Sequence, residues 1–217
     1  DSLGMVVLGF PDTTHVTLDH MLHHVEATAR GVKNALLVGD MPIHSYDTVE
    51  QAVQSAKKLF LAGADAVKLE GGAAQAGNIR AIVEAGISVV GHIGLLPQKV
   101  LEEGGYKIKG KSSAEEEALV RDVEAVAEAG ACAVVVEGVT PHAARQVTVH
   151  SSIPTLGIGS GSHTCDGDVV VIHDLVGAFP WFIPAFVKPR ADVAGSMTAA
   201  VKEWMEDCYT EPGSISS

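Results

Sequence analysis

The chain has 217 residues, of which 47% are hydrophobic and 5% aromatic, and its formal net charge is −12. This acidic balance excludes a nucleic-acid-binding surface, because phosphate contacts need clustered Lys and Arg side chains, and no apolar run approaches the ~20 residues that span a bilayer. The three cysteines, Cys132, Cys165 and Cys208, show no C-x-x-C spacing, so we expect reduced thiols rather than a disulfide framework or a zinc site.

Apolar runs alternate with helical patterns along the chain. In order, the runs predict strands at 34–40, 64–70, 87–93, 132–138, 153–158 and 169–173. The other periodic segments predict helices at 17–30, 48–62, 73–85, 113–129, 141–149 and 195–208. Because strand and helix alternate strictly, we expect an α/β protein with a parallel sheet and right-handed crossovers.

Helix boundaries are also visible in the sequence. Three helices stop at Gly63, Gly86 and Gly130, and glycine suits the left-handed conformation that ends a helix. Ser113 to Glu116 fits a capping box at the start of one helix, and Thr140 stands before a proline at the start of the next. These signals support the predicted order of elements.

Most of the predicted strands end in a charged or imidazole side chain. These side chains are Asp40, Glu70 with Lys68 two residues earlier, His92, Glu137, and His173 with Asp174. Residues two apart in a strand point to the same side, so Lys68 and Glu70 converge on one space. A buried charge is costly unless a metal, a substrate or a counter-charge compensates it. The pattern therefore predicts a functional site where the strands of a parallel barrel open.

Asp1, Asp40 and Glu70 are carboxylates at corresponding ends of different strands. Magnesium prefers oxygen ligands of this kind, usually one or two carboxylates together with water and substrate. Each carboxylate could instead cap a helix or pair with a lysine. Helix capping does not explain a buried Lys68 among them, so we predict a magnesium site.

Glu137 follows the apolar run AVVV and should lie at the poorly solvated mouth of the site. A carboxylate there is suited to act as a general base, although it could also be the partner of a nearby Lys or Arg. His92 could donate a hydrogen bond to a substrate or be a core histidine. The span from Leu95 to Ser112 shows no apolar periodicity, which predicts a functional loop over the site.

Two other motifs are weaker. The run GIGSGS at 157–162 could bind phosphate, but it does not fit G-x-G-x-x-G, and a close-packed turn is the favoured interpretation. His20, His23 and His24 lie on one predicted helix, where a solvated helix face is favoured over a metal site.

Nine runs occur together and in a fixed order over roughly residues 1 to 188. They are DSLGM, HHVEATARG, VGDMP, VKLEGG, GHIGLLPQ, GGYKIKGK, VVVEGV, IPTLGIGSG and DGDVVVIHD. On these runs the chain resembles the ketopantoate hydroxymethyltransferase family, that is, 3-methyl-2-oxobutanoate hydroxymethyltransferases. A single run such as GHIGL would be weak, whereas the ordered set is highly specific.

The resemblance implies a reaction and a set of roles. The reaction would add a hydroxymethyl group from 5,10-methylenetetrahydrofolate to 3-methyl-2-oxobutanoate, giving 2-dehydropantoate in pantothenate biosynthesis through a magnesium-stabilised enolate. Carried over by matching position, Asp1 and Asp40 would bind Mg²⁺ directly and Glu70 would support it. Ser2 and Lys68 would bind the keto acid, beside Asp1, Asp40 and His92, and Glu137 would accept the proton.

The resemblance also implies a (β/α)8 TIM-type barrel as one domain over residues 1–217. Six strands are predicted here and a closed barrel has eight, so we expect the barrel to be incomplete at its N-terminus. Small-molecule keto acid and folate would be its partners, with no nucleic acid and no membrane. The family further implies a homo-oligomer, a decamer of stacked rings, in the cytoplasm, or in the mitochondrion if a transit peptide preceded Asp1.

Two alternatives differ from this interpretation. The first is a magnesium-dependent keto-acid lyase or mutase of the phosphoenolpyruvate mutase–isocitrate lyase type, but the KKCGH run that marks those lyases is absent. The second is an inactive binding or assembly remnant. The presence of Asp1, Asp40, Lys68, Glu70 and Glu137 together argues against it.

Overall fold

A computed structural model describes residues 1–210. The strands are β1 (Val38–Asp40), β2 (Ala66–Glu70), β3 (Ser88–Gly94), β4 (Ala133–Glu137), β5 (Thr155–Ile158) and β6 (Gly167–Asp168). The helices are α1 (Leu3–Val6), α2 (Leu18–Gly31), α3 (Val49–Leu61), α4 (Ala76–Glu84), α5 (Ser113–Glu128), α6 (Pro141–His150), α7 (Ile172–Leu175) and α8 (Val193–Thr210). Short 3₁₀ turns cover Thr13–His15, Ala73–Gln75 and Pro97–Lys99.

The strands form one six-stranded sheet in the order β1-β2-β3-β4-β5-β6, and every neighbouring pair is parallel. This sheet order, with a helix after each of the first four strands, is that of a TIM-type (β/α) barrel. The predicted α/β class and parallel pairing are therefore confirmed. Parallel pairing also brings the carboxyl ends of all six strands to one edge of the sheet.

Five predicted strands are confirmed with slightly shifted bounds, but the strand predicted at 169–173 is wrong. The last strand is Gly167–Asp168, and His173 and Asp174 lie in the short helix α7. Val169 and Val170 are each about two-fifths exposed, so this apolar run is not buried against a sheet neighbour as an inner strand would be. His173 and Asp174 therefore do not end a strand.

Of the two predicted helix starts, the one at α6 is correct and the one at α5 is displaced. Thr140 Oγ1 accepts a hydrogen bond from Ala143 N at 3.3 Å at the start of α6, as expected. At α5 the capping residue is Ser112, whose Oγ accepts from Glu115 N at 3.3 Å. The predicted Ser113–Glu116 box is thus one residue too late.

The chain divides into two compact units, Asp1–Val169 and the segment from Val170 onward. The first unit contains the sheet and its core, in which Val67 and Leu69 of β2 are fully buried together with Leu59 of α3 and Val123 of α5. The second contains α7 and α8, and the one-domain organisation over 1–217 stays a prediction. Within residues 1–210, none of the helices has the length and apolar character that crossing a membrane requires.

Candidate active site

The carboxyl ends of β1 to β4 bring together most of the predicted site residues. The parallel register sets Asp40 beside Lys68, Glu70 beside His92, and Gly94 beside Glu137. In β2, Val67 and Leu69 are buried in the core, so Lys68 and Glu70 face the other side of the sheet. The site that was predicted from strand ends is therefore a real cluster of side chains.

Asp40 carries the first pair of contacts. Lys68 Nζ lies 2.8 Å from Asp40 Oδ1, and the amino nitrogen of Asp1 donates to Asp40 Oδ2 at 2.7 Å. Burial alone would raise the pKa of Asp40, but the Lys68 charge outweighs it and holds that pKa well below its usual range. Burial likewise opposes the charge on Lys68, yet Asp40 and Glu70 raise its pKa. Both groups are therefore charged at neutral pH.

His92 links the lysine to the predicted base. Its side chain is 2% exposed, with Nδ1 at 3.4 Å from Lys68 Nζ and Nε2 at 3.2 Å from Glu137 Oε2. Burial and the Lys68 charge lower the pKa of His92 despite Glu137, so the imidazole is neutral. Because an ammonium group can only donate, Nδ1 accepts and the ring proton is on Nε2, facing Glu137. His92 is thus both buried and in contact with the site.

Glu70 is the most deeply buried carboxylate, with a side chain 1% exposed. Its Oε2 accepts a hydrogen bond from Gln98 N at 3.0 Å, while Oε1 lies 3.6 Å from His92 Nδ1. Burial raises the pKa of Glu70 to about 8, although Lys68 acts in the opposite direction. In this structure Glu70 is therefore a carboxyl group that an additional positive charge would ionise.

Glu137 is placed by a close approach of two strand ends. Leu95 N donates to Glu137 O at 2.8 Å, directly after Gly94. Gly94 has a φ of +96°, and a Cβ on it would lie 2.3 Å from Glu137 O. A side chain at position 94 would therefore push the strands apart, so glycine is required for Glu137 to reach the site. The Glu137 side chain remains 22% exposed and faces His92.

Sequence reasoning missed Gln98 and Tyr46. Both are buried, and Gln98 hydrogen-bonds Asp1, Glu70 and Tyr46. Gln98 lies in the GHIGLLPQ run directly after β3, and its place after a strand end was the available signal. Nothing in the local pattern around Tyr46 distinguishes it from a core tyrosine.

The structure also places the remaining predicted features. Ser2 is exposed beside Asp1, at the start of α1, and its hydroxyl does not cap that helix. The loop predicted at 95–112 runs along the end of β4, since Lys109 N donates to Gly138 O at 2.9 Å. In the 157–162 run, the hydroxyl of buried Ser160 donates to Val136 O at 2.7 Å. This contact holds the run against β4, as expected of a close-packed turn. His20 belongs to the capping box of α2: Thr17 N donates to His20 Nδ1, and His20 N donates to Thr17 Oγ1.

The cluster contains carboxylate oxygens, which are the ligands that a magnesium ion prefers. Asp40 Oδ1 and His92 Nε2 face Lys68 Nζ at 2.8 Å and Glu137 Oε2 at 3.2 Å, whereas buried Glu70 Oε1 accepts no hydrogen bond. Buried polar atoms are rarely left unpaired, so Glu70 Oε1, beside the ion-paired Asp40, is the place where a ligand would complete the cluster. No group of three or more His, Cys, Asp or Glu side chains within residues 1–210 forms a ready-made metal cage. Magnesium does not need one, because it keeps water and substrate ligands.

Comparison with known proteins agrees with this geometry. A sequence model described as ketopantoate hydroxymethyltransferase matches residues 1–212. The chain belongs to the ketopantoate hydroxymethyltransferase family. It is 48% identical over 209 residues to 3-methyl-2-oxobutanoate hydroxymethyltransferase of Moorella thermoacetica, covering 95% of this chain and 77% of that protein. It is also 48% identical to the enzyme of the same name from Ignicoccus hospitalis, covering 95% of this chain and 78% of that protein.

Two solved structures show that the fold is shared more widely. Phosphoenolpyruvate phosphomutase from Streptomyces platensis subsp. rosaceus has a TM-score of 0.63 at 18% identity, covering 94% of this chain and 76% of that one. A 2,3-dimethylmalate lyase, a member of the PEP mutase/isocitrate lyase superfamily, has a TM-score of 0.60 at 17% identity, covering 99% and 75%. The predicted family, enzyme class and barrel-type fold are confirmed.

Proposed function

We propose that this enzyme transfers a hydroxymethyl group from 5,10-methylenetetrahydrofolate to 3-methyl-2-oxobutanoate, giving 2-dehydropantoate for pantothenate synthesis. The names of relatives at 48% identity support the keto acid and the reaction. The observation that carries the proposal is the buried cluster of Asp40, Glu70 and His92 beside a charged lysine, in which Glu70 Oε1 accepts no hydrogen bond. Such a cluster suits a small anionic substrate bound together with a cation.

The donor set fits Mg²⁺, which Asp1 and Asp40 would hold and Glu70 would support. The side chains of Asp1 and Asp40 are 5% and 12% exposed, and Asp40 Oδ1 lies 2.8 Å from Lys68 Nζ. When bound, Mg²⁺ acts as a Lewis acid that polarises the keto oxygen and so acidifies the neighbouring C–H bond. A nearby cation would also ionise Glu70, whose pKa is raised by burial.

The chain's own residues would perform the proton transfer. Lys68 and Ser2 bind the keto acid, and the Lys68 charge stabilises the negative oxygen of the enolate. Glu137 accepts the proton from the carbon beside the ketone, and His92 Nε2, 3.2 Å from Glu137 Oε2, orients that carboxylate. The carbon that lost the proton then forms the new C–C bond to the one-carbon unit, whose two C–N bonds to the folate break. Water supplies the hydroxyl group, and tetrahydrofolate leaves after its two nitrogens take up the protons lost by the substrate carbon and by water.

The metal requirement can be tested directly. We expect a chelator to abolish turnover and Mg²⁺ to restore it. Asp40→Asn should weaken Mg²⁺ binding and turnover together, because it removes the negative charge of a proposed carboxylate ligand. The control is His20→Ala, since His20 only caps α2. Full turnover in excess chelator would contradict the metal assignment, and a larger loss in His20→Ala would show that the metal was placed at the wrong residues.

The family resemblance also leads us to propose a homo-oligomer, a decamer. The exposed apolar side chains of α8 support association, because Met197, Val201 and Trp204 are each more than half exposed. Their spacing of four and three residues puts them on one face of the helix. Apolar faces of this kind mark protein–protein contacts more often than free surface.

A further inference from the structure

We propose that Gln98 and Tyr46 are positioning residues that fix the carboxylates of Asp1 and Glu70 around the metal site. The inference rests on the proposed function. Gln98 is 3% exposed and comes directly after β3, in the 3₁₀ turn Pro97–Lys99. From there its backbone and its side chain contact different carboxylates, which are far apart in the sequence.

The orientation of the Gln98 amide follows from its neighbours. One end of the amide lies 2.9 Å from Asp1 Oδ2 and 3.0 Å from the carbonyl oxygen of Met41. Both neighbours face this end as acceptors, so it must be the donating Nε2. Oε1 then faces Tyr46, whose hydroxyl donates to it at 2.5 Å. Reversing the amide would set an oxygen against two acceptors, so the network admits one orientation.

Tyr46 keeps this orientation from changing. The Tyr46 hydroxyl is the donor in this pair, because the Gln98 Oε1 that faces it can only accept. The tyrosine itself is held by Asn78, whose Nδ2 donates to Tyr46 O at 2.8 Å. The 3₁₀ turn therefore holds Gln98, and α4 holds Tyr46 through Asn78. Together they keep Gln98 Nε2 directed at Asp1.

Gln98 serves two carboxylates at once. Its side chain donates to Asp1 Oδ2, and its backbone nitrogen donates to Glu70 Oε2 at 3.0 Å. Glu70 Oε1 accepts no hydrogen bond and stays available. One hydrogen-bonded oxygen fixes the direction of the other, which is how groups outside the ligand sphere tune a metal site. Removing such a partner usually weakens metal binding 10–100-fold.

Mg²⁺ binding to the full chain, measured by titration calorimetry without substrate, tests this role. We expect Gln98→Ala to weaken binding by about 10–100-fold, and Tyr46→Phe to weaken it less. The double variant should bind no more weakly than Gln98→Ala alone, because the hydroxyl acts only through the amide. The control is Thr148→Val, which removes the hydrogen bond to Thr155 Oγ1 at 2.9 Å but contacts neither carboxylate. It should lower the melting temperature without changing Mg²⁺ binding.

The outcomes separate this inference from the proposed function. If Asp40→Asn loses Mg²⁺ while Gln98→Ala binds it normally, the positioning role is wrong and the metal site stands. If the wild-type chain binds no Mg²⁺, both fail. If Gln98→Ala does not fold, Tyr46→Phe tests the positioning role instead, because it removes one oxygen atom and preserves the ring. Normal Mg²⁺ affinity in a folded Tyr46→Phe protein would then overturn the inference.

Discussion

At the residue scale, His92 is a buried histidine that also contacts the charged groups of the candidate site. From sequence it could be a core histidine or a substrate donor, and the structure gives it features of both. It is 2% exposed, yet its two ring nitrogens face Lys68 and Glu137. Because burial and Lys68 keep the ring neutral, it can present one proton to Glu137 without adding a charge. This contact supports the proposal that Glu137 accepts the substrate proton, because it fixes the direction of the Glu137 carboxylate.

Glu137→Gln tests that assignment. The variant keeps the shape of the side chain but cannot accept a proton, so exchange of the substrate's tertiary hydrogen and product formation should fall together. General-base catalysis contributes about 10²–10⁴-fold, and we expect a loss of that order. Keto-acid affinity should change little, whereas Lys68→Ala should lose affinity. A stably folded Glu137→Gln protein with near-normal deuterium exchange would rule out this mechanism.

Asp174, in the second compact unit, provides a pH-dependent prediction. It is 6% exposed, and burial raises its pKa despite the nearby His173. The folded state therefore binds more protons than the unfolded chain above about pH 4, so this group makes stability fall as pH rises through that window. Asp174→Asn should gain stability relative to wild type between pH 4 and pH 7. Urea unfolding of both proteins at each pH measures the difference, and a constant difference would contradict the raised pKa.

At the scale of elements, helix ends were more predictable than strand ends. Gly63, Gly86 and Gly130 end their helices with φ of +109°, +86° and +97°, as predicted. The start of α5 was ambiguous because Ser112 and Ser113 each have a glutamate three residues later. Ser112 takes the extended conformation of a capping residue, with φ of −124° and ψ of 159°.

Ser112→Ala should therefore destabilise the protein, whereas Ser113→Ala should not. Loss of a capping hydroxyl costs about 1 kcal/mol, while serine to alanine inside the first turn is close to neutral or slightly stabilising. Chemical denaturation of the two variants, which differ by one position, provides a matched comparison. Equal losses in both would mean that Ser112 is not the capping residue that stabilises α5.

At the scale of the whole molecule, the sheet order explains why the site exists. Parallel strands in sequence order bring residues from Asp40 to Glu137 to one edge, although almost a hundred residues separate them. The strands do not by themselves indicate assembly. That expectation comes from the family resemblance and is supported by the exposed face of α8.

Light scattering tests the assembly. We expect a stable homo-oligomer at micromolar concentration, of decamer size, because exposed apolar side chains are stabilised when a partner covers them. Replacing Met197 and Trp204 on α8 with glutamine should reduce the oligomer size if that face takes part. A stable monomer of the unaltered chain would contradict the prediction.

The sequence by itself determined the family, the alternation of strands and helices, and the strand ends that carry Asp40, Lys68, Glu70, His92 and Glu137. These features are local, because burial periodicity and helix caps depend on neighbours within a few residues. The wrong strand at 169–173 shows the limit: an apolar run forms an inner strand only when distant segments cover it.

Only the tertiary structure decided which side chains meet at the site. Gln98 reaches Asp1, 97 positions away, and its donation to the backbone of Met41 crosses 57 positions. No local pattern records such a contact, because it depends on strand register and on the path of the loop after β3. The tautomer of His92 and the raised pKa of Glu70 arise in the same way, from burial beside charges that chain folding brings together.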